Sequence, residues 1–344
     1  MKRLSLIVSV VCAVLIGAMG ISQAQMTIKF GHVAPPFHGQ SIGVDAFAKY
    51  VAEKTNGEII VKTFPMGQLG SERSMAEQVQ MGTLEMASIT TAVMQNYVPQ
   101  AAVLDLPFIW PSRQVAYAVL DDPDFQKKYF SYFPAKGFIG IGWTENEFRD
   151  INNTKHPIHK PEDLKGLKIR VINSPIYMDT FKALGASPVG IPFPELYNAL
   201  SQGVIDAQDN PLYTSILIKC TEVAKYVTKS QHTLTECTQI VNPDFWKKLT
   251  PAQQQIFRDA AKLAIKVNRE STAAAFEHLP KLNISIAQYC QQNHVQVVQL
   301  TAAEREAFHQ AVRPVLEKYR PIMGADIYDA LMASIEKHRK ALGQ

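Results

Sequence analysis

Three segments near the beginning of the chain constrain its fold most. Residues 27–31 alternate apolar and polar side chains, as a half-buried strand does, and Val44, Phe47 and Val51 lie on one stripe of a helix. Residues 58–64 are apolar on both faces, which is typical of a covered strand in a parallel sheet. A strand, a helix and a strand in this order form a βαβ unit, so the sequence predicts an α/β fold with a doubly wound domain.

An internal similarity points to a second unit of the same kind. Residues 78–87 and 199–208 each read as the end of a helix, a glycine (Gly82 or Gly203) and the start of a strand. One interpretation is that two unrelated turns share this pattern. The other is that two similar α/β lobes face a shared cleft, with the glycine-rich residues 138–143 crossing between them.

A long helix is predicted after residue 250. Thr250, Pro251 and Gln253 form a capping box with proline at the first helical position, and no helix-breaking residue follows before about Glu277. Since an amphipathic helix of this length usually packs over a core, we expect it to span both lobes.

The first residues resemble a secretory leader. Met1–Arg3 are basic at two positions, residues 4–20 are apolar, and residues 22–24 have the small-x-small pattern of a signal-peptidase site. The sequence therefore predicts a signal peptide over residues 1–24, cleaved before Gln25, and a periplasmic location. An uncleaved membrane anchor is the alternative.

Charge and cysteine content narrow the class of protein further. Removing Lys2 and Arg3 with the leader lowers the formal charge from +4 to +2, which is too small for a nucleic-acid-binding protein. Three cysteines remain, so at least one thiol stays free. Spacing alone leaves a bridge between Cys220 and Cys237 open, with Cys290 as the third thiol.

We expect no catalytic residues, no cofactor and no metal. The sequence contains neither a His-Glu-x-x-His motif nor a Walker sequence, and we expect no serine nucleophile elbow. His156 and His159 flank a proline in a polar loop and lack a third ligand at a plausible spacing, so we interpret them as solvated side chains. The pattern favours a binding protein, with a periplasmic enzyme acting on a small acid as the alternative from another class.

Arg170 is the strongest candidate for ligand binding. Residues 161–171 read as a helical turn, a glycine stop and a short strand that ends by presenting this guanidinium. A structural ion pair is the ordinary use of such an arginine, but Arg149, Asn173 and Asn210 are expected close by. Two guanidinium groups and two amides converging on one site would be destabilising without an anion, so we predict a site for a small organic anion.

Four further residues complete the predicted site. Phe193 is either a hydrophobic staple or an apolar wall against the ligand. Trp143 allows the same two interpretations, a packing role or a contact with the ligand. Glu72 and Thr90 are candidates for polar contacts from the first lobe, with simple surface exposure as the alternative.

Five motifs together resemble those of a known family. They are residues 64–70, 104–108, 163–171, 184–188 and 203–211. Their order and combination resemble the extracytoplasmic solute-binding subunit of tripartite ATP-independent periplasmic (TRAP) transporters, of the C4-dicarboxylate-binding type. The similarity extends over nearly the whole mature chain.

This resemblance implies a site and a fold. The family's carboxylate-binding arginine corresponds to Arg170, its second ligand arginine to Arg149, its motif asparagine to Asn210 and its aromatic wall to Phe193. The implied fold is a two-lobed, type II-like periplasmic binding protein with crossing strands and a long helix spanning both lobes. Val33 stands where a polar ligand residue is often found, which favours a small acid.

The implied lobes are discontinuous in the sequence. Lobe I comprises residues 25–147 and about 236–275, and lobe II comprises residues 148–235 and about 276–344. We expect a monomer that delivers a small organic anion to a TRAP membrane permease and binds no nucleic acid. A binding protein of an ATP-driven importer is the alternative, and the sequence does not identify the cargo, whether carboxylate or sulfonate.

Overall fold

Two mixed β-sheets organise residues 25–344, the part of the chain that the computed structural model describes. The predicted signal peptide, residues 1–24, lies outside the described residues. The strands in chain order are β1 (Met26–Gly31), β2 (Ile59–Phe64), β3 (Met86–Thr90), β4 (Ile139–Phe148), β5 (Asp150–Asn153), β6 (Lys168–Val171), β7 (Ser187–Gly190), β8 (Ala207–Asn210), β9 (Tyr226–Lys229), β10 (Leu234–Val241) and β11 (Gln296–Gln299). The first sheet has the order β2-β1-β3-β10-β4, and the second has the order β11-β9-β5-β8-β6-β7.

Helices connect these strands. The α-helices of the described residues are α1 (Gly39–Lys54), α2 (Glu72–Met81), α3 (Thr91–Met94), α4 (Arg113–Asp121), α5 (Pro123–Phe130), α6 (Pro175–Ala183), α7 (Leu196–Ser201), α8 (Leu212–Leu217), α9 (Cys220–Val223), α10 (Pro243–Lys248), α11 (Pro251–Glu277), α12 (Ile286–Gln292), α13 (Ala302–Met323) and α14 (Ala325–Ala341). Short 3-10 segments occur at Pro99–Asp105, Pro134–Lys136, Pro161–Leu164 and Phe193–Glu195. None of the helices in residues 25–344 is both long and apolar enough to cross a membrane.

The predicted βαβ unit is confirmed. Strands β1 and β2 pair in parallel, with Met26 opposite Ile59. Helix α1 lies between them in the chain and buries Val44, Phe47 and Val51, the three residues of the predicted stripe. Local periodicity was sufficient to predict this unit, because the apolar stripe that identifies the helix in the sequence is also the face that packs against the core.

Two direct connections between strands cross from one sheet to the other, at adjacent points. Strand β4 ends at Phe148, and after Arg149 the chain enters β5 of the second sheet. The return runs from β9 into β10, and the backbone N–H of Arg149 donates to the carbonyl oxygen of Thr233 at 2.8 Å where the crossings meet. The predicted two-lobed fold with crossing strands is confirmed. We call the half containing the first sheet the first lobe and the other half the second lobe.

The glycine-rich segment has a packing role. Of residues 138–143, which we expected at the crossing, 139–143 form the first half of β4 and pair with β10 inside the first sheet. A side chain at Gly140 would run into the ring of Phe130, and a Cβ on Gly142 would lie 2.9 Å from the Cβ of Ala261. The two glycines therefore allow helices to pack directly on the strand, and the crossing comes later, at the end of β4.

Helix α11 spans both lobes, as predicted. It begins after Thr250, whose hydroxyl oxygen accepts the N–H of Gln253 at 3.2 Å. Phe257 packs in the core of the first lobe. Near the other end of the helix, Ala275 packs in a separate core with Tyr213 of the second lobe.

The last helix differs from the expected division into lobes. Residues 276–344 were assigned to lobe II, but α14 packs against α4 and α5 of the first lobe. Ile327 shares a core with Val115 there, and Lys337 donates to Asp122 at 2.8 Å. The sequence did not reveal this because an apolar stripe shows that a helix packs without identifying its partner.

The cysteines do not form the bridge that spacing had left open. Cys220 lies in a core of the second lobe with Leu196, whereas Cys237 lies on β10 of the first sheet. Both thiols and that of Cys290 are buried and unpaired. The described part of the protein is therefore held together without a disulfide.

A sequence pattern in α1 has a structural explanation. Residues 39–43 spell Gly-x-Ser-x-Gly, which the expectation of no nucleophile elbow overlooked. In an elbow the serine stands on a sharp turn from strand to helix, but here Ser41 is buried within α1. A Cβ on Gly43 would lie 2.5 Å from the carbonyl oxygen of Ala264, so the pattern serves the close approach of α1 and α11.

Replacing Gly43 by alanine is expected to lower the melting temperature. In an exposed helix this change stabilises by roughly 1 kcal/mol, but crowding against α11 should instead destabilise by about 1–3 kcal/mol. Thermal unfolding followed by circular dichroism gives the sign, with Ile42→Ala at an exposed position of the same helix as the control. An unchanged or higher melting temperature for Gly43→Ala would contradict the close packing.

Candidate functional site

A narrow cavity lies between the two lobes and is lined by residues of both. In the second lobe, β6 and β8 run in parallel, so Arg170 and Asn210 near their carboxyl ends meet at one edge of the sheet. The first lobe contributes Val33, which follows β1, and Thr90 at the end of β3. Open α/β sheets bind ligands at this edge, which makes the cavity the candidate site.

Arg170 lines the cavity with an unsatisfied guanidinium group. The residue is 2% exposed, Nε donates to the carbonyl oxygen of Ile191 at 2.8 Å, and Nη1 is buried without a hydrogen-bond partner. It forms no ion pair with any carboxylate of residues 25–344. Burial lowers the pKa of Arg170 to about 10, with Asp209 opposing the shift and Arg149 adding to it. A buried cation in this state is stabilised by an anion placed beside it.

Arg149 also lines the cavity, but its charge is already paired. Arg149 and Asp209 are both fully buried, with Nε and Oδ2 2.6 Å apart. The Nη2 group donates to the backbone carbonyl oxygen of Asp209, and the Tyr177 ring lies 5.4 Å from the guanidinium carbon. Burial acts to raise the pKa of Asp209, but Arg149 and His232 outweigh it, so the pKa is lowered and the carboxylate stays ionised. Arg149 therefore belongs to an ion pair without net charge and does not present a free cation to the cavity.

Asn210 is held in place by a chain of amides. It is the last residue of β8, since the following Pro211 has no N–H with which to continue the strand. Its Nδ2 donates to Oε1 of Gln208 at 2.7 Å, and Gln208 in turn donates to the Ser215 hydroxyl at 2.9 Å. These bonds fix the amide that lines the cavity.

Glu72 and Thr90 form one unit in the first lobe. Glu72 is the first residue of α2, and its Oε1 accepts the backbone N–H of Thr90 at 2.7 Å while the Thr90 hydroxyl donates to Oε2 at 3.3 Å. Both residues are buried and line the cavity, so neither is a surface side chain. Burial raises the pKa of Glu72, whereas Thr90 and the charges of Arg170 and Arg149 oppose this shift.

Apolar side chains complete the lining. Phe193 opens its 3-10 segment, packs on the core that contains Leu196, and also lines the cavity. The two interpretations of Phe193, a packing residue and a wall of the cavity, are therefore compatible. Val33 and Ile172 add further apolar surface.

Two predicted residues do not reach the cavity, and we remove them from the candidate site. Trp143 is buried in the first-lobe core, where its ring centroid lies 4.7 Å from that of Phe130. Asn173 is exposed outside the cavity, and its carbonyl oxygen accepts from Asn96 at 3.3 Å. Ile172 lines the cavity instead, because every second side chain of an extended segment faces the same side.

The structure also brings polar residues to the cavity that sequence reasoning missed. His38 precedes α1, and its Nδ1 accepts the N–H of Gln40 at 3.1 Å, so Nε2 carries the proton that faces the Thr214 hydroxyl at 3.1 Å. Thr214 donates to Asn146 at 3.2 Å. Burial lowers the pKa of His38 to about 3, with a smaller contribution from His32. His38 and Thr214 belong to different lobes, and no local sequence pattern predicts a contact between them.

The cavity offers charge and hydrogen bonds. In the part of the chain that the structure describes, no group of three or more His, Cys, Asp or Glu side chains is arranged to hold a metal ion. Arg170 supplies an unpaired cation, the Asn210 amide can donate and accept, and Glu72 accepts. This set of groups suits the binding of a small polar molecule with an acidic head.

Comparison with known proteins identifies the family. Residues 30–321 match the DctP family model, described as bacterial extracellular solute-binding protein, family 7. A solute-binding protein of Verminephrobacter eiseniae is 37% identical over 246 residues, which is 72% of this chain and 73% of the relative.

Solved structures agree in fold over most of the chain. The sugar acid binding protein DctPAm of Advenella mimigardefordensis, in complex with galactonate, has a TM-score of 0.83 and 29% identity, covering 91% of this chain and 99% of that one. A TRAP periplasmic solute-binding protein of Sulfurospirillum deleyianum, with bound succinate, has a TM-score of 0.81 and 31% identity, covering 90% and 99%. The predicted resemblance is confirmed: the chain belongs to the DctP family of bacterial extracellular solute-binding proteins, which serve TRAP transport.

Proposed function

We propose that this protein captures a small organic anion in the periplasm and delivers it to a TRAP membrane permease, with Arg170 as the anchor for the acidic head group. The observation that carries this proposal is the buried guanidinium of Arg170, whose Nη1 has no hydrogen-bond partner. A carboxylate would supply both the missing charge and the missing acceptors, in the bidentate geometry that arginine favours.

The other lining residues take distinct roles in this proposal. Asn210, fixed by Gln208, hydrogen-bonds the same head group, and Phe193 supports the body of the molecule. Arg149 was predicted as a second ligand arginine, but its Nε is committed to Asp209 at 2.6 Å. We therefore propose that Arg149 adds positive field and fixes the wall while Arg170 makes the main ion pair.

Closure of the lobes strengthens these contacts. The hydrogen bond between His38 and Thr214 and that from the Tyr213 hydroxyl to the carbonyl oxygen of Phe37, at 2.8 Å, join the lobes around the cavity. Excluding water lowers the local dielectric constant, which strengthens the attraction between Arg170 and an anion. A micromolar dissociation constant corresponds to about 8 kcal/mol, which one buried charge-assisted pair and several hydrogen bonds can supply.

The family supports an acid as cargo. Galactonate and succinate, which the two structural neighbours hold, both present a carboxylate. Family membership also favours TRAP transport over an ATP-driven importer. We further propose that the protein acts as a monomer without catalytic activity, after removal of residues 1–24.

Replacing Arg170 by glutamine should abolish the thermal stabilisation that a bound acid provides. At an acid concentration of about 100 times the dissociation constant, binding stabilises a protein by about 2.7 kcal/mol, and we expect the variant to bind at least ~100-fold more weakly. Without acid, its melting temperature should not fall, because the substitution removes a buried charge that has no carboxylate partner. Differential scanning fluorimetry with galactonate, succinate and a panel of small carboxylates and sulfonates measures both quantities.

The matched control is Arg305→Gln. This half-buried arginine donates to the carbonyl oxygen of Ser230 outside the cavity, so its loss should leave the acid-induced shift intact. An undiminished shift in Arg170→Gln, or no shift with any acid in the unaltered protein, would refute the proposed function.

Replacing Arg149 by glutamine, unlike replacing Arg170, should lower the stability of the fold itself. The substitution leaves the Asp209 carboxylate fully buried without its partner, which is expected to destabilise the fold by about 3–5 kcal/mol. The double variant Arg149→Gln/Asp209→Asn should regain part of this loss, because it removes both charges. Urea unfolding gives the free energies, and a single variant as stable as the unaltered protein would show that the pair is dispensable.

A further inference from the structure

The cavity contains a second ionisable group without an ion-pair partner, the carboxyl group of Glu72. Glu72 forms no ion pair of 4 Å or less within residues 25–344, and it lines the cavity from the first lobe while Arg170 lines it from the second. Arg149 and Asp209 neutralise one another at 2.6 Å. The cavity is therefore lined by a guanidinium group from the second lobe and a carboxyl group from the first lobe, neither of which forms an ion pair within residues 25–344.

The Glu72 carboxylate is fixed and still has acceptor capacity. The N–H and hydroxyl of Thr90 hold its two oxygens at 2.7 and 3.3 Å. An ionised carboxylate can accept about four hydrogen bonds, of which Thr90 provides two. Glu72 can thus accept hydrogen bonds from a cargo, but while ionised it has no proton to donate.

We infer that the cargo carries a single carboxylate, held by Arg170, and at its far end a hydroxyl group that donates to Glu72. Burial raises the pKa of Glu72, while the hydrogen bonds from Thr90 and the charges of Arg170 and Arg149 favour its ionised form. A second carboxylate at that end would meet this ionised form as a like charge in a site shielded from water, where repulsion is strong. Glu72 is then the specificity-determining residue that rejects dicarboxylates. The inference rests on the proposed function, since Arg170 must hold the acidic head for the far end to reach Glu72.

The surrounding groups favour a hydroxyl over an ammonium group. Gln40 and Asn146 line the same cavity, and their amides, like the hydroxyl of Thr90, can both donate and accept. A hydroxyl group also donates and accepts, so it can use all of these partners. An ammonium group only donates.

Pairs of acids that share a carbon chain test the inference. Threonate and the tartrate of matching configuration differ only in a terminal CH₂OH or carboxylate, as do galactonate and galactarate. Isothermal titration calorimetry with the full mature chain should show the hydroxy monocarboxylate of a pair binding at least about 10-fold more tightly than the diacid, a difference of about 1.4 kcal/mol. In Glu72→Gln this ratio should shrink at least ~10-fold, because the diacid gains affinity and the monocarboxylate loses it.

The control variant is Glu77→Gln. Glu77 lies on the same helix as Glu72 but pairs with Arg73 at the surface, so its substitution should leave the ratio unchanged. The ratio in the unaltered protein tests the inference even if Glu72→Gln folds poorly.

Several outcomes would overturn the assignment of Glu72. They are a diacid that binds the unaltered protein as tightly as its partner, a ratio that Glu72→Gln does not change, and tighter binding of 4-aminobutyrate than of 4-hydroxybutyrate. Binding of these acids that still depends on Arg170 would leave the proposed function standing. If no acid binds, both proposals fail.

Discussion

The buried ion pair between Arg149 and Asp209 is the interaction on which the candidate site depends. Arg149 stands at the point where the chain leaves the first sheet, and Asp209 lies on β8 of the second, so the pair ties the crossing to the strand that ends in Asn210. Both side chains are fully buried, and charged groups in such positions are almost always paired. The wall that carries Asn210 and Arg170 thereby acquires a fixed shape without any ligand.

Arg170 and Glu72, by contrast, are buried without an ion pair in residues 25–344, and both line the same cavity. Most buried charges in folded proteins have a partner, and a fold optimised for stability alone would pair these two or replace them. The protein instead places them in different lobes, where both line one cavity without forming an ion pair. Local conflicts of this kind are expected where function rather than stability has set the residue.

The sequence predicted those features that local signals determine. The capping box at Thr250 fixed the start of the long helix, and the position of Arg170 in a short strand placed it at the sheet edge. It could not identify Asp209 as the partner of Arg149, because 60 residues separate them and Arg149 lies between β4 and β5 whereas Asp209 lies on β8. Trp143 was misplaced for a related reason: the pattern of a strand does not say which of its two faces looks toward the ligand cavity.

The distribution of the lining groups over the lobes has a kinetic consequence. On the proposed function, the second lobe, which carries Arg170 and Asn210 at one edge of its sheet, receives the carboxylate while the lobes are apart. Glu72 of the first lobe then contacts the bound molecule only after the lobes meet. The second lobe would then bind many small acids at first, and an unsuitable acid would be rejected only when the lobes close. An acid of the wrong kind would occupy the protein briefly and slow the uptake of others, acting as a competitor that is never itself carried.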